Sequence, residues 1–273
     1  MSYKSILVNI DIDGPAAPIV GTALDLARRF DARLIGFSAA DARMPFAGPD
    51  GGAIAAEVWE QDRQDIETRL KGLRAEFEAM THGVAGSEWR GTIGDPTGSL
   101  AMTARLADLV VTSGHSDGAT GGPYRRADPA GVAVRAGRPL LLVADKADRV
   151  RAKRIVVAWK DTPEARRAVS AAVPLLVQAE EVIIVTVARS IDTWIRDSAK
   201  DTHDFLTAHG VKAETDMIES ADETLGLLAF IETSGAELVV SGAYGHSRLR
   251  EWAFGGVTRS LLDEIARNRF MAN

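Results

Sequence analysis

Two phrases of the sequence occur twice, in the same order and at nearly the same spacing. A chain written twice is confined to folds that can be assembled from two copies of one unit. Residues 4–10 read KSILVNI and residues 153–159 read KRIVVAW: a basic residue, a short run rich in β-branched side chains, then a polar turn. Near the end of each half, ADLVVTSG (107–114) is answered by AELVVSG (236–242). Between these phrases, short apolar runs alternate with stretches whose apolar residues recur every three or four positions. That is how a parallel sheet covered by helices is written, because strands buried on both faces need continuous apolar runs and their crossovers need amphipathic helices. The expected fold is α/β: two tandem doubly wound parallel-sheet domains, Rossmann-like, with about five strands each.

In the first half the pattern predicts strands near 4–11, 32–39, 84–90, 108–112 and 139–143. The longest helix, about 53–81, carries Ile54, Val58, Ile66, Leu70, Leu73, Phe77 and Met80 on one stripe, read as core. In the second half, strands fall near 154–159, 181–187, 211–218 and 237–242, with helices near 163–177, 191–209, 222–234 and 257–266 and a weak last strand near 268–272. The charged run DKADRVRAKR (145–154) has no apolar period and reads as a surface linker. Domains of 1–148 and 149–273 are expected.

Composition narrows the classes. The chain has 273 residues, 46% hydrophobic and 26% charged, enough apolar material for one large domain or two of ordinary size. A net charge of −6 with no basic cluster argues against a nonspecific nucleic-acid binder. The absence of cysteine excludes disulfides, thiolate catalysis and cysteine-ligated metal. No export signal is read at the N-terminus, and runs such as PLLLVA and EVIIVTVA are far shorter than the roughly 20 residues of a membrane span. The expectation is a cytoplasmic protein with neither membrane nor nucleic-acid partners.

The segment SGAYGHSRLREWAFGGVTRSLL (241–262) sets Gly242, Gly245, Gly255 and Gly256 between an apolar strand and a new helical pattern. Gly242 would sit at the carboxyl end of its strand, where open parallel sheets bind ligands. A helix opening near Gly256 and Val257 would turn free backbone N–H groups and the positive end of its dipole toward that crevice. Thr258 would add a hydroxyl, and His246, Arg248 and Arg250 positive potential. An isolated G-x-x-G is commonly only a turn; the full spacing G-x2-G-x9-G after the fourth strand of a repeated α/β unit carries more weight.

With that segment and the duplication together, the chain resembles the universal stress protein family in a tandem two-domain form, a Rossmann-like group related to the adenine nucleotide alpha hydrolases. The resemblance implies that Gly242, Gly245 and Gly255 hold the ribose and phosphates of ATP, with Mg2+ as its companion ion and no metal held by protein ligands. Gly256 takes the place of the family's usual Ser or Thr, with Thr258 as a substitute hydroxyl. The family's acidic residue after the first strand is matched by Asp11 in the first half. In the second half Lys160 fills that place and Asp161 follows it. The first half retains Gly114 but has Ser116 or Asp117 where the second glycine belongs, and it lacks the nine-residue spacing, so its site reads as degenerate.

Other chemistry ranks lower. His203 and His209, spaced i, i+6, fall on different helical faces and do not make a metal pair. GHS at 114–116 and 245–247 lacks the G-x-S-x-G spacing of a nucleophile elbow. Asp11 and Asp13 alternate along a strand and form no acid pair. The five tryptophans are scattered and read mainly as packing residues. With no positioned nucleophile, base or metal set, turnover beyond slow ATP hydrolysis is not expected. The resemblance implies an ATP-binding regulatory or stress-protective module, a homodimer through domain pairing. The alternatives are a nucleotide-independent dimerising scaffold and a weak nucleotide hydrolase.

Overall fold

A computed structural model describes residues 2–45, 52–114, 122–144, 149–243, 256–263 and 266–273. Its strands are β1 (Ser5–Asn9), β2 (Arg33–Ala40), β3 (Glu88–Ile93), β4 (Leu109–Ser113), β5 (Leu140–Val143), β6 (Arg154–Ala158), β7 (Glu181–Ala188), β8 (Ala213–Glu219), β9 (Leu238–Gly242) and β10 (Asn268–Ala272). All ten lie in one sheet, in the order β3-β2-β1-β4-β5-β10-β9-β6-β7-β8. Every neighbouring pair is parallel except β5 and β10, which run antiparallel, with Phe270 opposite Leu141. The sheet is thus two five-stranded parallel units of the same order, joined edge to edge. The expected α/β class and strand count are borne out.

The helices are α1 (Ala16–Phe30), α2 (Gly52–Met80), α3 (Pro96–Thr103), α4 (Pro129–Arg135), α5 (Pro163–Leu176), α6 (Thr193–Ala208), α7 (Glu223–Ser234) and α8 (Val257–Asp263). Three starts share one local device. Asp95, Asp128 and Thr162 each accept backbone N–H bonds from the first helical turn, and each precedes a proline at its first position. A short oxygen side chain satisfies an orphan donor there, while proline supplies the helical φ and has no N–H to waste. Asp192 and Asp222 cap α6 and α7 in the same way.

Two apolar layers sandwich the sheet. One gathers Val8, Leu26, Phe77, Val169, Leu206 and Phe270, placing α1, α2, α5 and α6 on one face. The other gathers Leu100, Val132, Leu227, Leu261 and Met271, placing α3, α4, α7 and α8 on the other. The repeat places these units because each crossover buries one helix per strand.

Three expectations need correction. The third strand runs from Glu88 rather than from 84, because Thr81 to Ser87 form a turn with glycines at positive φ at 83 and 86. The predicted stripe on α2 is fully buried only over Ile66, Leu70, Leu73 and Phe77; Ile54 and Val58 are exposed, because in the first turns the inward face is carried by Ala55 and Trp59, one residue further on. The weak final strand is instead a central one, buried at all five positions and hydrogen-bonded on both sides. Pairing of units occurs within one chain, so β10 occupies the edge of β5 that a dimer through domain pairing would use.

Candidate functional site

In each unit the chain order reverses between two adjacent strands, β1 and β4 in the first, β6 and β9 in the second. Open α/β sheets bind ligands at the carboxyl ends of such a pair, where the connecting loops part. The structure places Lys160 and Asp161 just past the end of β6 and Gly242 at the end of β9, so the second crevice brings three predicted residues together.

Gly242 has a packing reason to be glycine. A Cβ there would lie 2.7 Å from the backbone nitrogen of Ala165 and 2.9 Å from the carbonyl carbon of Glu164. The first turn of α5 therefore rests directly on the strand end. Gly256 differs: a Cβ there would meet nothing within 4 Å among the described residues. The Cβ of the serine or threonine expected from the resemblance would touch none of the described residues. Val257 and Thr258, both half-buried, open α8 beside it. Gly245, His246, Arg248 and Gly255 lie outside the described residues.

The charges of this crevice are partly spoken for. Lys160 Nζ donates to Glu223 Oε2 at 2.9 Å, from the first turn of α7, in a pair whose lysine is 73% exposed. Such exposed pairs contribute at most about 1 kcal/mol and open readily. Asp161 accepts from Arg166 Nε and Nη2 at 2.8 and 2.5 Å. It also borders a groove of about 450 Å3 between α5 and α6, walled by Trp159, Val169 and Phe205. The Trp159 indole N–H donates to Ser198 Oγ at 2.9 Å, fixing the ring as the floor.

The first crevice is arranged otherwise. Asp11 accepts from Asn9 Nδ2 at 3.1 Å on one carboxylate oxygen and from Ser113 Oγ at 3.2 Å on the other. Above it, Arg125 forks onto both oxygens of Asp13, at 2.6 and 2.8 Å, and reaches Asp62 on α2 at 3.2 Å. The Asp13 hydrogen bond holds the Arg125 guanidinium above its usual basicity. This clamp ties the 3-10 turn Gly122–Tyr124 down across the strand ends, and the backbone N–H of Asp41 donates to the Tyr124 carbonyl at 2.7 Å.

Gly114 proves to hold a different position from the one the repeated phrases suggest. Leu7 pairs with Val110 and Val156 pairs with Val239, so the ladders align Ser113 with Gly242 and Gly114 with Ala243. Both Gly114 and Ala243 donate their N–H to the last residue of the neighbouring strand, Val143 and Ala272. Gly114 is glycine because Arg269 of β10, 1% exposed, lies against it: a Cβ there would be 1.8 Å from Arg269 Nη2. Arg125 and Glu223 were not legible in the sequence because pairing between distant elements leaves no spacing signal, and Arg166 because its i, i+5 reach to Asp161 spans a turn and a helix start rather than one regular element. The cap Thr162-Pro163, by contrast, was a readable sign of the α5 start that packs on Gly242.

Among the described residues no group of three or more His, Cys, Asp or Glu could hold a metal ion, and no helix is long and apolar enough to cross a membrane. No protein-family model and no curated protein matches the sequence. Solved structures do match its shape. A universal stress protein from Archaeoglobus fulgidus superimposes with a TM-score of 0.67 at 15% identity, over 98% of this chain and 96% of that one. A putative universal stress protein from Pseudomonas aeruginosa gives 0.62 at 15% identity, over 99% and 93%. A functionally unknown protein from Pseudomonas aeruginosa gives 0.60 at 13% identity, over 99% and 92%. Each match spans both units and the junction between them, so the chain has the fold of the universal stress proteins, with two units on one polypeptide.

Proposed function

We propose that the protein is a cytoplasmic universal stress protein that binds one adenine nucleotide, ATP with Mg2+, in its second unit and acts as a regulatory or protective module rather than by turnover. The observation that carries this reading is the contrast between the two crevices. The first is clamped by Arg125 on Asp13 and Asp62, whereas the second presents an exposed lysine and, among the described residues, no atom against a Cβ at Gly256. Lys160 offers three donors and no acceptor, so it suits phosphate oxygens and cannot accept a bond from the adenine amino group. Similar affinities for ATP and GTP are expected.

The test is thermal denaturation with millimolar nucleotide and Mg2+. A ligand at a hundredfold its Kd adds about 2.7 kcal/mol, a rise on the order of 5 °C or more for a chain of this size. Gly256→Asp should abolish the rise by adding a carboxylate where space is open. Gly256→Ser should keep or enlarge it, and Glu223→Gln should enlarge it by freeing Lys160. No rise in the unmodified protein would overturn the site and leave the nucleotide-independent scaffold as the better reading, whereas a rise that Gly256→Asp leaves undiminished would overturn the site by placing the nucleotide elsewhere on the chain.

A further inference from the structure

The linker is more than a solvated connection. Between β5 and β6 the burial alternates: Val150 and Ala152 are packed into the core, while Arg149, Arg151 and Lys153 stay exposed. Anchoring the two apolar side chains turns the three cations outward, roughly 7 Å apart for alternate residues of extended chain. Opposite them, in the last turn of α1, Arg29 is held in place. Its Nη1 donates to the Val150 carbonyl at 3.1 Å and its Nε to Gln178 Oε1 at 2.6 Å. Together these groups line a cavity of about 380 Å3 at the meeting point of α1, the linker and the segment after α5.

Four cations and one carboxylate, Asp25, line this space, in a chain whose net charge is −6. Among the described residues the nearby carboxylates other than Asp25 sit at the Lys153 end, where Glu237 Oε2 accepts the Lys153 backbone N–H at 2.8 Å. Lys153 Nζ pairs with Glu180 at 2.7 Å, in a surface pair exposed on both sides, and the carbonyl ends of α1 and α5 add partial negative charge. Arg149 and Arg151 form no ion pair among the described residues. Partial burial of its stem lowers the Arg29 guanidinium below its usual basicity, with Asp25 acting the other way. Concentrating like charges in a concave site costs stability unless an anion neutralises them, and guanidinium groups match phosphate oxygens in a planar two-point fit.

We propose that this inter-unit cavity binds a small phosphate-bearing anion, with Arg29 as its fixed floor and Arg149 and Arg151 as arms that close on it. It is separate from the crevice at β6 and β9 and independent of the reading of that crevice. An anion here would touch α1 of the first unit and the linker into the second at once, joining the two halves by charge as well as by strand pairing.

Calorimetric titration of the full chain with inorganic pyrophosphate, without Mg2+ and at about 50 mM salt where screening is weak, tests the proposal. The expected result is saturable binding that weakens steeply with added salt. Arg149→Gln with Arg151→Gln should reduce affinity about tenfold or more, the loss of a charge-assisted contact or two. Because Lys160 in the other crevice also suits phosphate oxygens, the titration is repeated in Gly256→Asp, which closes that crevice, and saturable pyrophosphate binding should persist there. Adenosine should not compete, whereas ATP should, since the shared chemistry is phosphate. Circular dichroism of the variants should match the parent, as expected for exposed substitutions. No saturable heat, an affinity in the double variant within about twofold of the parent, or loss of binding in Gly256→Asp would each overturn the assignment.

Discussion

Phe270→Ala should lower the free energy of unfolding by about 3–5 kcal/mol, the range for truncating a fully buried phenylalanine to alanine. Phe270 has no exposed surface and lies in the layer formed by α1, α2, α5 and α6. Its backbone is bonded to β9 on one side and β5 on the other, so the cavity opens where the two units meet. Urea denaturation followed by circular dichroism would measure the loss. Phe270→Leu, which keeps most of the volume, should cost much less. A loss in Phe270→Ala below about 1 kcal/mol would show that β10 is not the central element described here.

Gly114→Ala should also destabilise, at or above the upper end of the roughly 1–3 kcal/mol typical of overpacking. The added methyl would fall 1.8 Å from a guanidinium nitrogen that is itself buried, with the Val143 carbonyl oxygen only 3.1 Å away, so neither side has room to yield. The cause can be isolated by a double-mutant cycle with Arg269→Leu. If the clash is with Arg269, most of the cost of Gly114→Ala should vanish in the Arg269→Leu background. An equal cost in both backgrounds would place the strain in the backbone around Val143 instead.

Much of the fold was legible because duplication and apolar runs are local signals. KSILVNI and KRIVVAW mark β1 and β6, and each later strand with a continuous apolar run fell within a residue or two of its place. β10 was harder to read, since NRFMA contains Asn268 and Arg269, which look like surface residues. They are buried because Asn268 Oδ1 accepts the Ala144 N–H at 3.0 Å and Arg269 reaches across to Gly114, partners supplied by the other unit. The candidate site was legible where chain position decides it, at Gly242 and at Lys160 and Asp161. It was not legible where tertiary pairing decides it: the Glu223 partner of Lys160, the Arg166 partner of Asp161 and the Arg125 clamp all come from residues distant from the motifs or on a neighbouring turn. Gly114 and Gly242 are offset by one residue although their phrases look alike, because equivalence of position is set by the strand ladder and not by residue type.

The antiparallel seam of β5 and β10 has an evolutionary corollary. When two identical chains meet across a two-fold axis, every substitution at the seam is written twice and must tolerate its own copy. Here the ladders equate Arg269 with Leu140, since Val239 pairs with the former and Val110 with the latter. A symmetric assembly of the second unit would bury two such arginines and oppose each with the equivalent of Ala243, which has the very Cβ that Gly114 lacks. On a single polypeptide one guanidinium meets one glycine and its mirror position stays leucine. Two units on one polypeptide are thus free of self-complementarity, and they carry different residues at matching places, Asp11 in one and Lys160 in the other.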